Sequence, residues 1–180
     1  MRKTLNEELG RLSKEAYPSA KKTDIVLVLD NIRSLNNIGS IFRTSDAFRI
    51  AHVYLCGITA SPPHREIQKT ALGATESVPW SHHDDTFALL NTLKGKGYTL
   101  ALIEQTDEAV LLQDFIPTPG QKIALVFGNE IDGVDESLLS LADCTLEIPQ
   151  YGTKHSVNVS VSAGIVIWHI FDLGQYQQYI

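Results

Sequence analysis

The chain has 180 residues, 43% of them hydrophobic and 20% charged, with a net charge of -6. That length and balance suit one globular domain with a real core, and the acidic total argues against a sequence-independent nucleic-acid coat. The longest nearly apolar run, residues 163–171, contains His169 and is far too short to cross a bilayer. The opening stretch, MRKTLNEELGRLSKEAY, lacks the apolar centre of a signal peptide, so a cytoplasmic protein with no membrane partner is expected. Cys56 and Cys144 each sit in an apolar run without a neighbouring thiol and read as small buried hydrophobes.

In chain order, residues 1–23 come first. Six bases (Arg2, Lys3, Arg11, Lys14, Lys21, Lys22) outnumber three acids (Glu7, Glu8, Glu15) there, and the stretch reads as a basic helical extension ended by Pro18. Short runs rich in Val, Ile and Leu then recur at 25–29, 52–58, 98–103, 122–127 and 144–148. Each has strand length and is apolar on both faces, as in a covered parallel sheet. Helical patterns lie between them, over 35–48, 64–72, 85–94 and 135–141. In the first of these Ile38, Ile41, Phe42 and Ser45 share a face. Strands alternating with helices predict an α/β fold, a mainly parallel sheet flanked by helices. The run Ser81-His82-His83-Asp84-Asp85 reads as a solvated helix start rather than a metal site, and Trp80 and Trp168 read as packing residues.

The end of the chain is ambiguous at first sight. Ser156, Asn158, Ser160 and Ser162 alternate with hydrophobic residues, which suggests a half-buried strand. From Asn158 onward, however, Val159, Ala163, Val166 and Ile170 fall at helical spacing, so a final helix over about 158–173 is the better reading. Ser156 and Asn158 then stand at a helix entrance, where a side chain either caps free N–H groups or meets a ligand.

Three segments carry the chemistry: NIRSLNNIGSIFRTSDAF at 31–48, LVFGNEIDGVDESLL at 125–139 and IPQYGTKHSVNVSVSAGI at 148–165. The second is neither a P-loop nor a dinucleotide fingerprint, although it follows an apolar strand, where open α/β sheets bind ligands. In this order and spacing the three segments resemble motifs 1, 2 and 3 of the SpoU/TrmH family, within the SPOUT class of RNA methyltransferases, over about residues 24–173. The resemblance implies a 24–180 methyltransferase domain whose C-terminal part threads into a deep trefoil knot. It also implies S-adenosylmethionine as cofactor, and methylation of a ribose 2′-hydroxyl of tRNA or rRNA. The family's motif-1 asparagine and arginine fall on Asn37 and Arg43, its motif-2 glutamate on Glu130, and its motif-3 serine and asparagine on Ser156 and Asn158. The cofactor pocket would be walled by Phe127, Gly128, Asn129, Ile148, Gln150, Ser156 and Val157. Gln150 stands where the family often has an apolar residue, and Val157 replaces its usual Leu.

Under this reading Arg43 acts with an RNA phosphate to polarise the hydroxyl, Asn37 orients Arg43 or the ribose, and Glu130 holds the arginine by charge-assisted hydrogen bonds. A homodimer without metal is expected, because the family puts the motif-1 and motif-3 helices at a subunit interface and residues 163–171 are apolar around much of their girth. His155 is either an RNA contact or a plain loop residue. The basic extension either helps select the RNA or packs as a helix. Two other classes stay open: a non-catalytic RNA-binding module with the same fold, and a small-molecule α/β enzyme, which the acidic composition favours.

Overall fold

The computed structural model describes residues 1–174, so the end of the expected 24–180 domain, residues 175–180, lies outside the described residues. Seven strands form one sheet: β1 (Ile25–Asp30), β2 (His52–Cys56), β3 (Trp80–His83), β4 (Thr99–Ile103), β5 (Val110–Leu111), β6 (Ile123–Phe127) and β7 (Cys144–Glu147). Their order is β3-β2-β1-β6-β4-β7-β5, and every pairing is parallel. The central strands β1 and β6 are buried along their whole length, which is why their sequences, the terminal Asp30 of β1 apart, are apolar without alternation.

Among the described residues six helices cover the faces: α1 (Leu35–Ala47), α2 (Arg65–Ala71), α3 (Ala74–Ser77), α4 (Thr86–Gly95), α5 (Glu136–Leu139) and α6 (Val159–Leu173). On one face Ile25, Leu27 and Leu29 of β1 join α1, α2, α3 and α6 in the larger core. On the other, Val26 and Val28 join Leu89, Leu90 and Leu93 of α4 and Leu138 of α5. The expected α/β architecture is therefore present as three layers. Helices α1 and α2 come very close at Gly39, where a Cβ would lie 2.1 Å from Thr70 Oγ1 and 2.3 Å from the Ile67 carbonyl oxygen.

Several details differ from the sequence reading. Residues 80–83 form an edge strand, so the two histidines lie on β3 rather than at the helix start, while Asp85 caps α4 as expected; backbone pairing with β2 holds this polar stretch in place. His82 and His83 consequently point to opposite sides of the sheet. His83 and His52 both reach Ser81 Oγ, at 3.0 and 2.9 Å, while His82 contacts the Gly57 carbonyl. Helix α5 is one turn rather than the expected 135–141. The first 23 residues hold a single 3-10 turn, Asn6–Leu9, instead of a continuous helix. It stops at Gly10, whose φ of 59° is left-handed. Tyr17 nevertheless anchors this segment, buried to 5% exposure beneath the cation of Lys22. Cys56 is buried, and burial pushes its thiol up to about 12; Cys144 is only half-buried. Trp168 is 55% exposed and packs edge-to-face against Phe48.

Candidate functional site

The carboxyl ends of β1, β6, β4 and β7 lie side by side, in the part of the sheet where the order turns from β1-β2-β3 back toward β4. Open α/β sheets place their ligand crevices at such a point. A cavity of about 420 Å³ opens there, a size suited to one small molecule. All seven residues expected to hold the cofactor line it: Phe127, Gly128, Asn129, Ile148, Gln150, Ser156 and Val157. Glu130, Asn158 and His155 line it too. Ile103, Leu146 and Ile148 give it apolar wall, and the backbone after β6 gives it polar rim.

That rim is a tight turn. Asn129 and Gly133 exchange two backbone hydrogen bonds of 3.0 and 3.1 Å, and Asn129 Oδ1 accepts from the N–H groups of Ile131 and Asp132. The turn lies directly on the strand end, because a Cβ at Gly128 would sit 2.0 Å from the Gly133 carbonyl carbon. Gly133 itself has φ +72°, and a Cβ there would meet Glu104 Oε2 at 2.1 Å. Glu104, just beyond the end of β4, accepts from the Val134 N–H at 2.8 Å and so latches the turn to the neighbouring strand.

Glu130 projects from this turn toward α1. Its Oε2 accepts from the Arg33 N–H at 3.1 Å, and its Oε1 accepts from the Ser34 N–H at 3.1 Å and from Asn37 Nδ2 at 2.9 Å. Partial burial raises its pKa, but the bonds from Arg33, Asn37, its own N–H and Ser34 prevail and hold the carboxyl below the usual glutamate range. Asn37 Oδ1 accepts from Asn158 Nδ2 at 3.2 Å. Asn158 is the N-cap of α6, its Oδ1 accepting from the N–H and hydroxyl of Ser160. The capping and ligand-facing readings of Asn158 therefore coexist. Ser160 serves the cap, and Ser162 reaches back to the Val157 carbonyl.

The amide orientations follow from chemistry. A carboxylate only accepts, so Asn37 must turn its NH2 toward Glu130 and its carbonyl toward Asn158. Asn158 must then present its NH2 to Asn37 and keep its carbonyl for Ser160. One directional relay joins residues from all three motif segments.

Arg43 does not join it. It is exposed on α1, does not line the cavity, and makes no hydrogen bond or ion pair with any described residue. The expectation that Glu130 grips Arg43 is corrected: the acceptors of Glu130 serve the α1 entrance and Asn37. Six residues on a 3.6-residue helix put Asn37 and Arg43 about 120° apart around the axis, so the two face different directions.

Glu104 and Glu147, which also line the cavity, were missed by motif reasoning. The available signal was their position at or just beyond the ends of apolar strands. Among the described residues no group of three His, Cys, Asp or Glu could hold a metal ion, and no helix is long and apolar enough to cross a membrane.

Comparison with known proteins agrees with this geometry. Residues 24–168 match the SpoU rRNA Methylase family. The chain is 32% identical over 143 residues to the 23S rRNA (guanosine-2′-O-)-methyltransferase RlmB of Neisseria meningitidis serogroup B, covering 79% of this chain and 56% of that relative's length. Its fold resembles that of a TrmH/SpoU tRNA modifying enzyme of A. aeolicus, with a TM-score of 0.80 at 24% identity, over 92% of this chain and 82% of that one. It also resembles an AdoMet-bound rRNA methyltransferase from Sinorhizobium meliloti, with a TM-score of 0.75 at 24% identity, over 88% and 60% of the two chains. With its three motif segments converging on one cavity and most of its length matched, the chain belongs to the SpoU rRNA methylase family.

Proposed function

We propose that the protein is an S-adenosylmethionine-dependent methyltransferase acting on a ribose 2′-hydroxyl of tRNA or rRNA. The observation that carries this reading is the relay from Glu130 through Asn37 to Asn158 at the rim of the cavity. The cavity fits the cofactor in size and donor set: backbone groups after β6, apolar wall, and carboxylates facing a cationic ligand. Bound S-adenosylmethionine supplies an activated methyl group on a sulfonium centre.

The chain's own residues supply position and charge. Phe127, Gly128, Asn129, Ile148, Gln150, Ser156 and Val157 hold the cofactor. Glu130 orients Asn37, and Asn37 with Asn158 and Ser156 holds the ribose. Arg43 pairs with an RNA phosphate and stabilises negative charge developing on the 2′-oxygen. Its freedom from described partners supports that role, because a guanidinium already bound would have to be released first. Residues 1–23 act as an extension beside the 24–180 domain, whose C-terminal part is threaded as the resemblance implies.

The protein works as a cytoplasmic homodimer without metal. Val161, Ile165 and Trp168 follow one face of α6 and are exposed, an apolar stripe that suits a second copy. Incubating the protein with methyl-labelled S-adenosylmethionine and unmodified tRNA or rRNA, then identifying labelled nucleosides by mass, tests the activity. A 2′-O-methylated nucleoside is expected. Cofactor binding with no label in either RNA would favour a non-catalytic RNA-binding module.

A further inference from the structure

The cavity carries more negative charge than the motif residues require. Among the described residues four carboxylates line it, those of Glu104, Glu130, Asp132 and Glu147, and no lysine or arginine does. Two of the four have structural partners. Glu130 accepts from three donors at the α1 entrance, and Glu104 accepts from the N–H groups of Val134 and Gln105. Asp132 is exposed in the turn.

Glu147 is different. It ends β7, is half-buried in the cavity wall, and its carboxylate makes no hydrogen bond or ion pair with any described residue. Partly desolvating a charge without a partner is unfavourable, and a cationic ligand in the same cavity offsets that cost. The other three carboxylates add to the field there, because a cleft with low-dielectric walls focuses charge of one sign.

We propose that Glu147 is a specificity-determining residue that makes this cavity prefer the sulfonium cofactor over the neutral thioether left after transfer. The inference rests on the methyltransferase reading. In that reaction the ribose 2′-oxygen bonds the methyl carbon, its proton passes to solvent, and the carbon–sulfur electron pair stays on sulfur. The bound ligand thus loses one positive charge and one methyl group, while its adenosine and amino-acid parts are unchanged. A carboxylate in the wall registers that single change and loosens the spent ligand.

The test is isothermal titration of the full chain with three ligands: S-adenosylmethionine, S-adenosylhomocysteine, and an analogue with a protonated amine in place of the sulfonium. In the wild type both cations should bind more tightly than the thioether. Glu147→Gln should lower that preference by about tenfold, through weaker binding of the two cations. An unchanged ratio in a folded Glu147→Gln protein would overturn the assignment while leaving the methyltransferase reading intact. Binding of none of the three by the wild type would instead overturn the reading on which it rests. Should Glu147→Gln fail to fold, the wild type is titrated at low and high salt. Screening should then shrink the preference for the cations, and a salt-independent ratio would count against the proposal.

Discussion

Asn37 and Asn158, 121 positions apart in the chain, share a side-chain hydrogen bond of 3.2 Å whose direction is imposed by a third residue, Glu130. Asn37→Asp should therefore damage the site more than Asn37→Ala. The aspartate sets a carboxylate against Glu130 and offers it no donor, whereas alanine only removes a link. The drop in single-turnover methylation should be about a hundredfold for the aspartate, with a far-ultraviolet spectrum close to wild type. Equal activity of the two variants would remove the relay from the argument.

Glu130 links stability to pH. Its folded pKa is depressed below the ordinary value of 4.5, so its contribution is complete above about that pH and is lost as pH falls through the lower folded value. Glu130→Gln, which replaces an acceptor oxygen with a donor facing backbone N–H groups, should cost about 1 kcal/mol at neutral pH. In paired urea titrations the gap between wild type and variant should close in acid. A gap that widens below the ordinary glutamate pKa would contradict the assigned sign.

The turn that carries Glu130 depends on a glycine. Gly133→Ala forces a side chain into left-handed backbone and against the Glu104 carboxylate, and should destabilise by at least about 1 kcal/mol. It should also weaken cofactor binding, since the turn walls the cavity. Gly152 offers a control, because a Cβ there meets nothing within 4 Å. Gly152→Ala should melt within a degree or two of wild type by calorimetry.

Arg43 lies off the cavity, so its loss should separate binding from turnover. Arg43→Lys keeps the charge and loses the planar fork, and methylation should fall by about a hundredfold. The dissociation constant for S-adenosylmethionine, measured by titration, should stay within about twofold. A matching loss of cofactor affinity would place Arg43 in a role other than RNA contact.

Trp168 tests the assembly. The residue is 55% exposed and continues the stripe of Val161 and Ile165. Trp168→Asp should shift sedimentation from dimer toward monomer at micromolar concentration, because a charge at the centre of an apolar contact is strongly disfavoured. A wild type that sediments as a monomer would exclude the dimer directly.

Much of this was legible in the sequence because the physics was local. The Val-, Ile- and Leu-rich strands needed only length and composition, and α1 declared its buried face through Ile38, Ile41, Phe42 and Ser45, all of which are buried. The entrance of α6 was readable from spacing, and Asn158 is its cap. What escaped was tertiary. Strand β3 has an ordinary polar sequence and exists because β2 offers it an edge. The contacts of Glu130 were misassigned to Arg43 because sequence spacing does not show which side of a helix faces a distant loop. Glu104 and Glu147 each follow an apolar strand, but nothing in their spacing ties them to one another; the sheet brings them to one cavity. The opening segment carries helix-forming residues, yet left-handed Gly10 interrupts it.

The relay also has a temporal meaning. Ribosomes extend chains from the N-terminus, and domains consolidate as their parts appear. Asn37 and Glu130 are both made before Asn158, so a nascent or truncated chain ending short of α6 holds one amide whose carbonyl has no mate and a cavity without its motif-3 wall. Under the proposed function the site is complete only once α6 has been made, and a fragment ending before it is an unfinished scaffold with no half-working site.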